Sequence, residues 1–173
     1  TVFDPELSVG LPPSLTATTG MDALTHAVEA YIGKYDTAFV KEKALNATEI
    51  IINNLEDTYH NGQDLELRLK MAQASFDAGL AFTRAYVGYV HAIAHAMGGF
   101  YGVPHGLANA IILMAVKDYR DALKKLMKRP RYGPAQDLKN EVERFFRSDW
   151  YRELTSVDGN VLIKKLQAEV SEQ

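Results

Sequence analysis

The chain is expected to fold as an all-α helical bundle. Apolar residues recur every three to four positions through most segments, Gly, Pro or Asn-Gly punctuates the breaks, and 47% of the 173 residues are hydrophobic, enough to bury a core. Thr1 to Ser14 reads as an extended lead-in, because Pro5, Pro12 and Pro13 disfavour helix. The first helix is expected to start at Thr18 or Thr19. Its stretch MDALTHAVEAYI sets Ala, Leu, Val and Ile at helical spacing, and Gly33 stops it. A second helix is expected from Phe39 to Tyr59, with Leu45, Ile51, Ile52 and Leu55 as its apolar content and Asn61-Gly62 ending it. Its centre is β-branched, but its length favours helix. Asp64 caps a third through LELRLKMAQASFDAGLAF, where Leu65, Leu69, Ala72 and Phe76 repeat at helical spacing. A fourth spans Ala85 to Met97, before the glycine-rich GGFYG. A fifth starts near Pro104 to Gly106 and continues through LANAIILMAVKDYRDALKKLM. Beyond the basic hinge KKLMKRPRYGP, AQDLKNEVERFFRSDWYREL and VLIKKLQAEV supply two more helices, with Asp158 as a cap for the second.

Composition narrows the function. The net charge of −3 gives no electrostatic reason to expect nucleic acid or an anionic membrane as a partner. No apolar run of about 18 residues is present and no signal peptide is evident, so a cytoplasmic enzyme is expected. The chain begins without Met in what reads as mid-domain sequence, as expected of a segment of a longer protein. With no cysteine, any metal must be held by nitrogen and oxygen, which suits iron, zinc or manganese. The charge pattern divides the chain. Residues 1–114 carry six Lys and Arg against twelve Asp and Glu (−6), and residues 115–173 carry thirteen against ten (+3). Two parts are therefore expected, residues 1–115 and residues 116–173, the second with the only Trp.

Four of the five histidines lie in two segments that can converge on a metal; His60 stands apart beside a turn. Asp22 and His26 are four residues apart, as are His91 and His95, so each pair shares one face of a helix. His105 follows the glycine break, where the chain can return towards them. A pair of histidines at this spacing is by itself explained by ordinary core or surface residues; a third His and a separate Asp–His pair change that reading. Imidazoles with one carboxylate suit a divalent first-row ion and leave positions for a substrate oxygen. HAIAH lacks the Glu that the zinc-protease motif places after its first His, since Ala92 stands there. Glu29 shares the first helix and reads as an exposed or supporting carboxylate without a catalytic role. Gly98, Gly99, Gly102 and Gly106 read as a helix stop and turn, because neither a preceding strand nor a Lys in Walker spacing accompanies them.

FDPELSVGLPPSLTATTGMDALTHAVEAYIG followed by AYVGYVHAIAHAMGGFYGVPHGLANAIIL closely resembles the C-terminal, helical, metal-binding domain of the iron-containing alcohol dehydrogenases, over about residues 1–114. The resemblance implies one divalent metal, Fe2+ or alternatively Zn2+, held by Asp22, His26, His91 and His105. It places His95 near the nicotinamide and substrate rather than on the metal. The implied reaction is reversible hydride transfer between a small alcohol or aldehyde and NAD(P), the metal acting as a Lewis acid and carrying no electrons. NAD(P) binding is expected only with the family's N-terminal dinucleotide-binding domain, which nothing here supplies. His95 is a candidate for proton relay, and Phe100 or Phe82 for lining the substrate side. A homo-oligomer is compatible with the sequence. Residues 116–173 do not resemble the family's usual continuation; they must cover apolar surface of the first part or leave it exposed. Two other functional classes remain open, a metal-dependent hydrolase-like module and a non-catalytic remnant that binds a partner through Phe145, Phe146, Trp150 and Tyr151. Those aromatics also fit a core at helical spacing.

Overall fold

A computed structural model describes residues 1–35, 37–149, 152 and 158–171. Among the described residues there is no strand. A 3-10 helix at Pro5–Ser8 precedes α1 (Pro13–Ile32), α2 (Ala38–His60), α3 (Leu65–Ala85), α4 (Tyr89–Tyr101), α5 (His105–Lys128), α6 (Gly133–Phe146) and α7 (Gly159–Ser171). None of the described helices is long and apolar enough to cross a membrane.

The prolines of the lead-in open helices instead of preventing them. α1 starts at Pro13, not at Thr18 or Thr19, because a first-turn proline lacks only an N–H that would have no partner inside the helix. Pro5 likewise opens the 3-10 turn, where Asp4 accepts from the Glu6 N–H at 3.1 Å. Asp64 caps α3 as expected, accepting from the N–H groups of Glu66 and Leu67 at 2.8 and 3.1 Å. α4 corrects the expected Ala85–Met97 helix. Ala85 closes α3, and Gly98 and Gly99 lie inside α4. The stop falls at Gly102, whose left-handed φ of 65° and N–H bond to the Gly98 carbonyl (3.0 Å) close the helix. α6 ends at Phe146, short of the expected Leu154, and Trp150, Tyr151 and residues 153–157 lie outside the described residues.

α1, α2 and α3 pack on one another, and α1 also packs on α5. Their seam is made of small residues: Ala23, Ala27, Ala47, Ala74 and Ala78 around Ile51, then Ala30, Ala44, Ala81 and Ala85 around Val40. Of the larger apolar residues expected here, Ile51 is buried and Leu55 packs against it, but others lie on other faces. Leu45, Ile52, Leu65 and Phe76 are exposed. Small side chains let the helix axes approach closely, so the tight seam selects alanine. Buried Arg68 ties the lead-in to α3, donating to the Gly62 carbonyl (2.8 Å), Thr16 Oγ1 (2.9 Å) and the Leu11 carbonyl (3.3 Å).

α4 to α7 share a second core of Val90, Ile93, Met97, Ile112, Tyr119, Phe146, Leu162 and Leu166. α5 passes residue 115 without a break, and its residues on both sides join this core. Phe146 is buried in it, and Phe145 packs against it. A polar network crosses the same region. Tyr119 donates to Glu143 Oε1 at 2.7 Å, Gln167 donates to both Tyr119 and Glu143 at 3.1 Å, and Lys139 and Arg147 pair with Glu143 at 2.8 and 2.9 Å.

Candidate metal centre

Three helices bring the expected residues to one place. Asp22 and His26 face inward from successive turns of α1, His91 comes from the first turn of α4, and His105 is the first residue of α5. Gly106 makes the last approach possible: a Cβ there would lie 1.9 Å from the Thr18 carbonyl oxygen, so only glycine lets α5 start against the backbone of α1.

Asp22 is the hub. Its Oδ1 lies 3.3 Å from His91 Nε2 and 3.2 Å from His105 Nε2, and its Oδ2 lies 3.8 Å from His26 Nε2. Asp22, His26 and His91 each offer a donor atom within 4.8 Å of the others. The rings of His26 and His91 stack at 4.0 Å, with Phe82 stacked on the other side of His26 at 4.2 Å. Among the described residues, His26 Nδ1, His91 Nε2 and Asn109 Oδ1 are buried without a hydrogen-bond partner. Donors that share one ion with bonds of about 2.0–2.1 Å lie about 3.3 Å apart in a tetrahedral array, so the separations around Asp22 fit a bound divalent ion. The orphaned buried Nε2 of His91, which faces Asp22, fits it too.

The charges of the cluster depend closely on one another. Burial would raise the Asp22 carboxyl, but His91, His26 and His105 outweigh it and hold it below the usual range. Burial disfavours charge on His91, yet the carboxylates of Asp22 and Glu29 on either side push it up to about 9. His26 is pushed down to about 4, first by burial and then by the charge of His91. His105 is not one of those three mutually close residues and joins them through its 3.2 Å approach to Asp22 Oδ1, whereas His95 is exposed and stacks on His105 at 4.9 Å. The His95 ring is lowered by desolvation, then by His105 and His91. Phe100 is exposed at the end of α4, whereas Phe82 backs His26.

Two further side chains, Glu29 and Asn109, contact the expected residues. Glu29, expected as an exposed or supporting carboxylate, is buried and accepts from His91 Nδ1 at 2.7 Å. Its position seven residues after Asp22 and three after His26 puts it on their helix face, a signal the spacing already carried. Asn109, one turn after His105, donates to Asp22 Oδ1 at 2.5 Å, and its Nδ2 lies 3.1 Å from His105 Nε2. Nothing in its residue type distinguishes it from an ordinary polar helix residue.

The sequence model described as "Fe-containing alcohol dehydrogenase family, C-terminal" matches residues 16–140, continuing past Met114 into α6. Alcohol dehydrogenase 4 of Schizosaccharomyces pombe is 51% identical over 118 residues, covering 68% of this chain and 28% of the relative. 1,3-Propanediol dehydrogenase of Klebsiella pneumoniae is 50% identical over 118 residues, covering 68% and 30%. Among solved structures, an alcohol dehydrogenase from Oenococcus oeni matches with a TM-score of 0.65 and 34% identity, over 98% of this chain and 41% of that one. A 1,3-propanediol oxidoreductase matches with a TM-score of 0.62 and 37% identity, over 98% and 40%. The chain thus spans less than a third of the length of these two curated relatives. With a matching helical fold and a family match over most of its residues, the chain belongs to the Fe-containing alcohol dehydrogenase family, in the region of the C-terminal domain.

Proposed function

We propose that this chain is the metal-binding part of an NAD(P)-dependent alcohol dehydrogenase of the iron type, acting on small alcohols or aldehydes in the cytoplasm. The observation that carries this reading is the convergence of one carboxylate and three imidazoles from α1, α4 and α5 at separations of 3.2–3.8 Å around Asp22. Asp22, His26, His91 and His105 would hold Fe2+, with Zn2+ as the alternative. A divalent ion there supplies Lewis acidity towards an alcohol or carbonyl oxygen.

The residues divide the remaining work. Asp22 brings the one negative charge of the donor set, and neutral imidazoles leave the bound ion a net positive charge for an incoming oxygen. His95, exposed beside His105 and with its ring lowered by desolvation and its histidine neighbours, is suited to take the hydroxyl proton in alcohol oxidation and return it in reduction. Phe100 offers apolar surface near the end of α4, where a small alcohol would lie, while Phe82 holds the His26 ring from behind. NAD(P) would be bound by the dinucleotide domain of a longer protein. The ligand residues all lie within residues 1–115, and beyond them Val116, Tyr119, Phe146, Leu162 and Leu166 complete the core on α4.

Metal content of protein purified without chelator tests this. About one ion per chain in the wild type, lost in Asp22→Ala and His105→Ala, is the expected outcome. A wild-type chain that holds no metal and takes up none from added Fe2+ or Zn2+ would falsify the reading.

A further inference from the structure

Helix α4 has no capping side chain of its own at its N-terminus, where Gly88 stands. The cap comes from α1. Glu29 accepts the Gly88 N–H at 2.8 Å through Oε2 and the Val90 N–H at 2.6 Å through Oε1. The same Oε2 lies 2.7 Å from His91 Nδ1. A carboxylate already accepting two backbone N–H groups is an acceptor towards the ring as well, so Nδ1 carries the hydrogen and Nε2 faces Asp22 at 3.3 Å. Glu29 is 5% exposed and His91 fully buried, so the contact is shielded from bulk solvent.

We infer that Glu29 is a positioning residue that fixes the ring of His91 with Nε2 towards the metal, and that joins the metal centre to the first turn of α4. The inference rests on the metal-centre reading proposed above. Glu29 does not touch the ion; it acts through His91. Because one carboxylate holds both the ring and the first amides of α4, the angle of the helix and the aim of the ring are set together. Glutamine cannot substitute. One of its two terminal atoms is an NH2 donor, which would face an N–H donor at either oxygen position and favour turning or re-protonating the His91 ring.

The test uses two readouts on the full chain. The first is zinc affinity by chelator competition for the wild type, Glu29→Gln and Gly88→Ala. A Cβ at Gly88 would sit 2.6 Å from Glu29 Oε1 and displace the carboxylate without removing it. The second is the ring Nδ1–H resonance of His91 in 15N-histidine-labelled, metal-free protein. Both variants are expected to bind zinc about 10- to 100-fold more weakly, and the exchange-protected resonance present in the wild type is expected to vanish in Glu29→Gln. Unchanged zinc affinity in folded Glu29→Gln, with the resonance retained, would overturn the inference and leave Glu29 as a helix cap alone. If Glu29→Gln does not fold, Gly88→Ala and the wild-type resonance decide, and absence of a protected Nδ1–H in the wild type overturns it. A wild-type chain that takes up no zinc defeats the metal-centre reading instead. In that case a resonance seen in the wild type and lost in Glu29→Gln still supports the hold of Glu29 on the ring.

Discussion

Asp22, His26 and His91 titrate against one another, and the signs give the metal-free chain a stability maximum in pH. The folded His91 value of about 9 lies above the ordinary 6.5, so between 6.5 and 9 the folded chain holds a proton that the unfolded chain has lost. That contribution is complete below 6.5 and disappears as pH rises to 9. The His26 value of about 4 lies below 6.5, so between 4 and 6.5 the unfolded chain holds the extra proton and stability falls as pH falls. Urea unfolding of chelator-treated protein is expected to show greatest stability near pH 6.5; a curve rising steadily to pH 9 would contradict the charges assigned to the cluster. An ion bound at His91 Nε2 must displace its proton. Apparent zinc affinity is therefore expected to strengthen with pH up to about 9, which titrations at pH 6, 7 and 8 would resolve.

Helices carry these residues, and their ends decide where the residues point. Asp64 accepts two N–H groups at the start of α3, so Asp64→Ala is expected to lower stability by about 1 kcal/mol in urea unfolding while leaving metal content unchanged. The start of α5 behaves differently. Gly106→Ala puts a methyl against the Thr18 carbonyl, so α5 must move off α1 and carry His105 with it. The expected cost is about 1–3 kcal/mol together with loss of bound metal. Metal retained at wild-type affinity in that variant would show that the two helices need not touch there. These ends were unequally legible in the sequence. Asp64 and Asp158 announce caps by residue type, and Asp158 does accept the Asn160 N–H at 2.7 Å. The start of α1 was hidden, because a proline reads as a breaker unless its place in the first turn is known. The end of α4 was hidden as well, because only backbone geometry distinguishes Gly102 from Gly98 and Gly99.

In the whole molecule, the Asp–His cluster bridges the alanine seam of α1–α3 and the core of α4–α7. A ligand that spans both should stabilise both. Zinc at 100-fold over its dissociation constant is expected to add about 2.7 kcal/mol, seen as a rise in Tm. The buried network around Glu143 holds α5, α6 and α7 in register beneath α4. Tyr119→Phe removes one of its donors and is expected to cost about 1–3 kcal/mol, measurable by thermal unfolding. Several apolar residues near the ends of α4 and along α5 stay exposed, among them Phe100, Tyr101, Leu107, Ile111 and Met114.

The chain's sequence determined the helical class, most helix spans and the chemistry of the donors, because periodicity, caps and residue type are local properties. Asp22 and His26 share a face by spacing alone, and the lack of cysteine restricts a metal site to nitrogen and oxygen. Tertiary structure alone decided which face of α3 is buried, how near α5 comes to α1 and what holds His91. Ala74, Ala78 and Ala81 form the buried face because neighbouring helices approach closely there, and Leu65 and Phe76 are left outside. Glu29 reaches Gly88, Val90 and His91 across 59 to 62 residues of chain. No local pattern specifies a contact of that span; it exists because α1 and α4 are packed into the same bundle.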